Sequence, residues 1–273
     1  MFSPDSDSVA HQLAAGFIAR PDSARATALL DDALLLDGSI RMGVLSLLSD
    51  MSCGFLSHRS VSPDWISTSQ LRIRLTGDSV VGPASAADGR QLSVEASMLR
   101  VGRTSAVAEG IVRLDATTIG IAQGIFQRLP FKDGNPEITF PEVIDHEPSP
   151  HRLGGSWTDA IGLQPTDPTS ATVAVEIRPQ LYNPLDVFHG GLLTTPMEQA
   201  AVAACHQLTG VAHRAIDLDV RYLAMLKVGT AIARPAVLDE TPRLDGRLTV
   251  RVELHDEKRL GSVALIVCEP SGA

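Results

Sequence analysis

The run His189-Gly190-Gly191 opens a stretch of apolar and small residues, and Glu198 stands nine positions after the histidine. Adjacent glycines suit a place where a ligand approaches the backbone with no Cβ in the way. If a helix starts there, its leading N–H groups lack partners within the helix, and its dipole adds roughly half a positive charge at that end. Such a terminus can hold an anion, or the oxygen of a carbonyl under attack. A tight strand-to-helix turn that simply needs glycine is the structural alternative. Glu198 lies seven positions beyond Gly191, beside Met197, Ala200 and Ala201. A carboxylate next to an apolar face is costly unless it has a partner or a task. Asp50, between Leu48 and Met51, has the same kind of setting in the first half of the chain.

These two acids belong to a repeat. Displaced by 148 positions, Ile40–Asp50 falls on Phe188–Glu198, so that Gly43 meets Gly191 and Asp50 meets Glu198. The same offset places a strand-like run at 24–35 over 172–183, and a strand pattern follows each helix, at 66–75 and at 215–226. Long hairpins follow at 105–129 and 249–268, opened by Gly102-Arg103 and Gly246-Arg247. Between the paired strands, Leu45, Leu48, Ser52, Phe55 and Leu56 recur with helical spacing, as do Leu193, Met197, Ala200, Ala201, Ala204 and Leu208. Each half therefore reads as strand, long helix, then three or four strands. The expected fold class is α+β: two antiparallel sheets, each wrapped around one long helix, joined as an internal pseudo-dimer. The expected divisions are an N-terminal domain over 1–130, a proline-rich linker over 131–150 and a C-terminal domain over 151–273.

Bulk composition agrees with two globular units. The chain has 273 residues, 44% of them hydrophobic and 20% charged, enough for two cores of ordinary size. A formal net charge of −9 and an aromatic content of 4% argue against nucleic-acid binding. Cys53, Cys205 and Cys268 each lie in apolar sequence without ligand spacing, so buried free thiols are expected, and no metal. The N-terminus is acidic and lacks a long apolar core, and no run is long enough to span a bilayer, so a cytoplasmic protein without membrane insertion is expected. No GxSxG element and no glycine-rich dinucleotide fingerprint occurs.

Asn183, six positions before His189-Gly190-Gly191, completes a spacing that resembles the hotdog thioesterases of the phenylacetic-acid-pathway and 4-hydroxybenzoyl-CoA type. Their pattern is an amide residue, HGG six positions on, and an Asp or Glu nine positions after the His. The likeness covers roughly 20–130 and 150–270, in a tandem form. The first half keeps only Gly43 and Asp50, with Arg41-Met42 in place of His-Gly and Leu35 in place of the amide.

The resemblance implies an acyl-CoA thioesterase whose site lies between the halves, with no cofactor beyond the coenzyme A moiety of its substrate. Asn183, His189, Gly190 and Gly191 would face Asp50, while the reciprocal site would pair Gly43 with Glu198 and lack the HGG loop. Gly190 and Gly191 N–H groups would hold the developing oxyanion. Asp50 would act as general base or nucleophile. Asn183 would orient thioester or water, and His189 would shape the loop. Arg100, Arg103 and Arg247 are candidates for the coenzyme phosphates, with solvated strand-end charge as their alternative. Pairing of two chains through sheet edges or faces is expected. Two residues depart from the pattern: Pro196, expected to disturb the second helix, and Asp186, where the family often has glycine. Two other readings stand beside hydrolysis: an acyl-thioester hydratase or dehydratase, and a non-catalytic acyl-CoA binding module.

Overall fold

A computed structural model of the chain describes residues 8–76, 81, 89–132, 138–167, 169–239, 241 and 243–271. The first half runs α1 (Val9–Gln12), β1 (Gly16–Arg20), β2 (Ser23–Leu29), a ribbon of β3 (Leu35–Leu36) and β4 (Ser39–Ile40), and the long helix α2 (Met42–Val61). It continues through β5 (Trp65–Leu75), β6 (Gln91–Val101), β7 (Ser105–Leu114) and β8 (Thr117–Leu129). After β9 (Ile144–His146) the second half repeats the plan: α3 (Trp157–Ile161), β10 (Leu163–Asp167), β11 (Thr172–Glu176), α4 (Thr194–Thr209), β12 (His213–Tyr222), β13 (Thr230–Val237), β14 (Leu248–His255) and β15 (Leu260–Pro270).

The expectation of two sheets is corrected. The strands form one continuous antiparallel sheet in the order β10-β11-β13-β14-β15-β12-β5-β8-β7-β6-β2-β1-β9. The order is nearly mirrored about the β12–β5 pair, so the repeat is real but its halves share a sheet. In separate sheets β5 and β12 would each be an edge with unpaired N–H and C=O groups, and here they satisfy one another. Their register sets Leu218 opposite Ile73 and Val220 opposite Leu71, all four buried. Across the same seam Arg74 pairs with Asp217 at 2.7 Å, and Gln70 Nε2 donates to Asp219 Oδ1 at 3.1 Å.

Period-two patterning fixes which face of each strand is buried. In β7, Ala106, Ala108, Gly110, Val112 and Leu114 are inside and their neighbours half-buried. The sheet bends around α2, which contacts strands of both halves and also α4. That explains why α2 is buried on nearly every side although its sequence holds several serines. The Ser49 and Ser52 hydroxyls donate to the carbonyls of Leu45 and Leu48, at 2.7 and 2.9 Å, so their burial leaves no unmet polar group. In α4 the apolar stripe runs through Met197, Ala200, Ala201 and Cys205, whereas Leu208, expected in it, is half exposed near the helix end.

The connection over 131–150 also differs from a plain linker. Ile144–His146 adds a strand beside β1. Cys53, Cys205 and Cys268 are buried and free. Among the described residues no helix is long and apolar enough to cross a membrane.

Candidate active site

The helix that the HGG run was expected to open begins later. α4 starts at Thr194, and His189–Leu193 form a leading turn in which the Leu192 and Leu193 N–H groups both donate to the His189 carbonyl. Pro196 therefore sits in the first turn of α4, where a missing N–H is tolerated, and does not break the helix. The Gly190 and Gly191 N–H groups are left without a partner in the helix, as expected for a helix start.

Asp50 projects from α2 of the other half toward this turn. The Gly191 N–H lies 3.1 Å from Asp50 Oδ2 and 3.1 Å from His189 Nδ1, so a single donor holds carboxylate and imidazole together. The two acceptors are 3.4 Å apart. Burial pushes the His189 imidazole below its usual pKa against the opposing pull of Asp50. The ring is thus neutral, with Nδ1 as acceptor and the proton on Nε2. The other carboxylate oxygen, Asp50 Oδ1, accepts from the Thr68 hydroxyl at 2.8 Å. The Tyr222 hydroxyl donates to the Gly190 carbonyl at 2.9 Å. Burial, and then the Asp50 charge, raise the Tyr222 pKa well above its ordinary value, which keeps it a donor.

The two glycines have different reasons to be glycine. A Cβ on Gly191 would come within 2.6 Å of Leu47 Cα, so this residue permits the close crossing of the α4 leading turn with α2. A Cβ on Gly190 would meet only side chains, Asp50 Oδ2 at 3.1 Å and Thr68 Oγ1 at 3.4 Å. Gly190 lines a cavity of about 770 Å³ together with Asp50, Thr68, Asn183, His189 and Tyr222. Of the two N–H groups expected to hold an oxyanion, that of Gly191 is occupied by Asp50, while that of Gly190 has no partner among the described residues. Asn183 Oδ1 accepts from the Leu185 and Val187 N–H groups at 2.9 and 3.4 Å. Its acceptor is therefore committed to folding the 183–188 loop, and only Nδ2 remains for a ligand. Asp186 in that loop has φ 54°, the left-handed conformation for which glycine is the usual choice.

Glu198 does not line the cavity; it faces Gly43 at the reciprocal position. It is 2% exposed, and its two oxygens accept from the Met42 and Gly43 N–H groups at 2.7 and 2.9 Å. No side chain of its own caps α2, so Glu198 caps it across the interface. Burial raises its pKa, opposed by nearby Arg41 and the two backbone donors. Trp157 closes the same place: it is fully buried, and its indole N–H donates to Thr195 Oγ1 at 3.1 Å, directly over Gly43. By the 148-residue offset Ile216 stands where the other site has Thr68, and Arg74 where it has Tyr222.

The three arginines are not brought to the site. Arg247 pairs with Glu269 at 3.0 Å and with Asp245 at 3.4 Å. Arg100 and Arg103 are exposed around the β6–β7 turn, and none of the three lines the cavity. Among the described lining residues there is no arginine or lysine. Thr68 and Tyr222, which the sequence reading missed, reach the site from β5 and β12, the strands that meet at the seam.

No protein-family model matches the sequence, and no curated protein matches it significantly. Solved structures do match. A Lactobacillus plantarum protein described as an oleoyl thioesterase aligns with a TM-score of 0.61 at 15% identity, over 92% of this chain and 96% of that one. An acyl-ACP thioesterase from Bacteroides thetaiotaomicron aligns with a TM-score of 0.56 at 13% identity, over 90% and 98%. A protein from Alicyclobacillus acidocaldarius with a hot dog fold aligns with a TM-score of 0.54 at 11% identity, over 92% and 94%. With an antiparallel sheet bent around a long central helix in each half, this chain has the hot dog fold.

Proposed function

We propose that this protein hydrolyses an acyl thioester in the cavity between its halves, with one working site and one closed site. The observation that carries the reading is the pairing of Asp50, held in the cavity wall, with the unpartnered N–H of Gly190 at a helix-like turn. The thioester carbonyl oxygen takes the Gly190 N–H, and the positive end of the α4 turn stabilises the charge that develops there. Asp50 takes a proton from a water whose oxygen bonds to the carbonyl carbon. The tetrahedral intermediate collapses, the C–S bond breaks, and the sulfur leaves with the proton that Asp50 returns, giving free acid and thiol. Both Asp50 oxygens already accept a hydrogen bond, which suits proton transfer through water better than direct attack by a carboxylate oxygen. Asn183 Nδ2 would donate to the substrate, and Tyr222 holds the Gly190 carbonyl and with it the peptide plane whose Gly191 N–H binds Asp50. The acyl group occupies the cavity, while the thiol carrier, coenzyme A or a carrier protein, stays outside a lining whose described residues offer its phosphates no arginine or lysine.

The test is thiol release from a panel of acyl-CoAs by the wild type, Asp50→Asn and Glu198→Gln. Asp50→Asn is expected to lose about 10²–10⁴ in kcat, the usual weight of a general base, and Glu198→Gln to stay within a few-fold of wild type. Full activity in Asp50→Asn would overturn the assignment. A single turnover in ¹⁸O-water identifies a nucleophilic route in which Asp50 forms an anhydride and water then adds at the Asp50 carbonyl carbon: the first acid released is unlabelled and the label stays on Asp50, whereas base catalysis labels the acid and leaves Asp50 unlabelled.

The buried His189–Asp50 pair, 3.4 Å apart, supports a second reading, addition of water across an α,β-unsaturated acyl thioester. Crotonyl-CoA would then lose its conjugated absorbance without releasing thiol.

A further inference from the structure

The cavity extends past Asp50 along one face of α2, through Met51, Gly54 and Phe55 to His58. Asp50, Gly54 and His58 are each four residues apart, so about 12 Å of helix separates the carboxylate from the imidazole. Of the ten aromatic residues described, seven line this cavity, Phe17, Phe55, Trp65 and Phe126 among them. A Cβ on Gly54 would meet Phe126 at 3.4 Å, an ordinary contact, so packing does not demand glycine there; its bareness keeps the groove open.

His58 breaks this apolar wall. It is 8% exposed, with its ring 5.0 Å from those of both Trp65 and Phe140. It borders both the main cavity and a smaller one of about 160 Å³. Neither ring nitrogen has a hydrogen-bond partner among the described residues, although the ring is more than nine-tenths buried. Burial lowers its pKa, so the ring is neutral, with one donor and one acceptor to offer. These nitrogens are not sealed from solvent, so a ligand group in the cavity can take the place of water on them.

We propose that the acyl group taken by this cavity carries an uncharged hydrogen-bonding group, a hydroxyl, at the end far from the thioester, and that His58 receives it. The proposal rests on the thioesterase reading for the placement of the thioester at Asp50. A hydroxyl both donates and accepts, as the neutral imidazole does. A terminal carboxylate would enter a lining whose described residues include two acids, Asp50 and Asp186, and no arginine or lysine, and would be left an unpaired charge. An extended chain advances about 1.2 Å per bond, so 12 Å corresponds to an acyl chain of about ten bonds.

The experiment compares kcat/KM for ω-hydroxydecanoyl-CoA and decanoyl-CoA in wild type, His58→Phe and His58→Gln. Calorimetric binding of ω-hydroxydecanoic, decanoic and decanedioic acids to the same full-length proteins accompanies it. Wild type is expected to favour the hydroxylated member about fivefold in both measurements, the effect of one neutral hydrogen bond. His58→Phe is expected to lose that preference while still hydrolysing decanoyl-CoA, and His58→Gln, which keeps a donor and an acceptor, to retain it. No preference in wild type, an undiminished preference in His58→Phe, or tighter binding of the dicarboxylic acid would overturn the proposal. If neither thioester releases thiol, hydrolysis is the reading that fails and acid binding decides this one: a fivefold preference lost in His58→Phe upholds it, and equal or undetectable binding overturns it.

Discussion

Replacing Gly191 with alanine places a methyl group 2.6 Å from Leu47 Cα, 2.9 Å from the Ser46 carbonyl oxygen and 3.0 Å from the Leu47 nitrogen. All three atoms belong to the backbone of α2, so no rotamer change relieves the contact and the two elements must move apart. Overpacking of this kind costs about 1–3 kcal/mol, and contacts confined to backbone put this site near the upper figure. The reduced freedom of alanine in the unfolded chain returns about 0.7 kcal/mol. The net loss is about 2 kcal/mol, which in a chain of this size lowers Tm by about 4–8 °C. The same change at Gly190 meets Asp50 Oδ2 at 3.1 Å, Thr68 Oγ1 at 3.4 Å and Tyr222 Cε1 at 3.6 Å, all side-chain atoms that can give. Gly190→Ala is therefore expected to keep its stability while its methyl displaces Asp50 and enters the cavity, so turnover falls. Urea unfolding followed by circular dichroism, beside thiol release, reads both variants. A Gly191→Ala protein as stable as wild type, or a Gly190→Ala protein less stable than Gly191→Ala, would refute the division of roles between the two glycines.

Glu198 yields a pH prediction. Burial raises its carboxyl above the ordinary value of 4.5, so the folded chain keeps a proton that the unfolded chain has released. Stability from that proton falls as pH rises from 4.5 toward the raised folded value. Wild type should therefore lose stability relative to Glu198→Gln over that window, and parallel stability–pH curves would disprove the assignment. Trp157→Ala is expected to lose about 3–5 kcal/mol, as a fully buried large side chain, with the decrease visible in the urea midpoint. Tyr222→Phe removes one hydrogen bond to the Gly190 carbonyl and should reduce kcat about fivefold at nearly unchanged stability; an unaltered rate would show that the turn holds its aim without it. Arg247→Ala should leave KM for acyl-CoA unchanged, since its guanidinium is engaged by Glu269 outside the cavity.

What could be read from the sequence depended on whether a residue's neighbours lay along the chain or across it. The 148-residue offset aligned Gly43 with Gly191 and Asp50 with Glu198 because glycines and acids inside small apolar runs stand out locally, and the structure brings Asp50 against the His189 turn. Strand-like patterning at 66–75 and 215–226 indicated β5 and β12. It carried no information on which strand pairs with which edge, so their union into one sheet was not visible. Thr68 and Tyr222 were missed for the same reason: they are unremarkable strand residues until the seam places them beside Gly190. Asp50 and Glu198 looked equivalent because the repeat set both two turns along a helix. The difference arises elsewhere, in the Met42 N–H that Glu198 accepts and in Trp157 above Gly43. Arg247 looked available because its partner Glu269 lies 22 positions away, on the neighbouring strand.

The proposal of one working and one closed site has a consequence for what a single chain can explore. In a symmetric pair of identical subunits every substitution enters both sites, so a tryptophan that seals one seals the other. Here the two sites are encoded separately. Trp157 and the Glu198 cap add buried core on one side, while the groove from Asp50 to His58 stays hollow on the other. The hollow side forgoes packing, and the filled side offsets that loss within the same cooperative sheet. Duplication within one chain thus separates what would otherwise be inherited jointly: one copy is free to become ballast while the other remains a vessel.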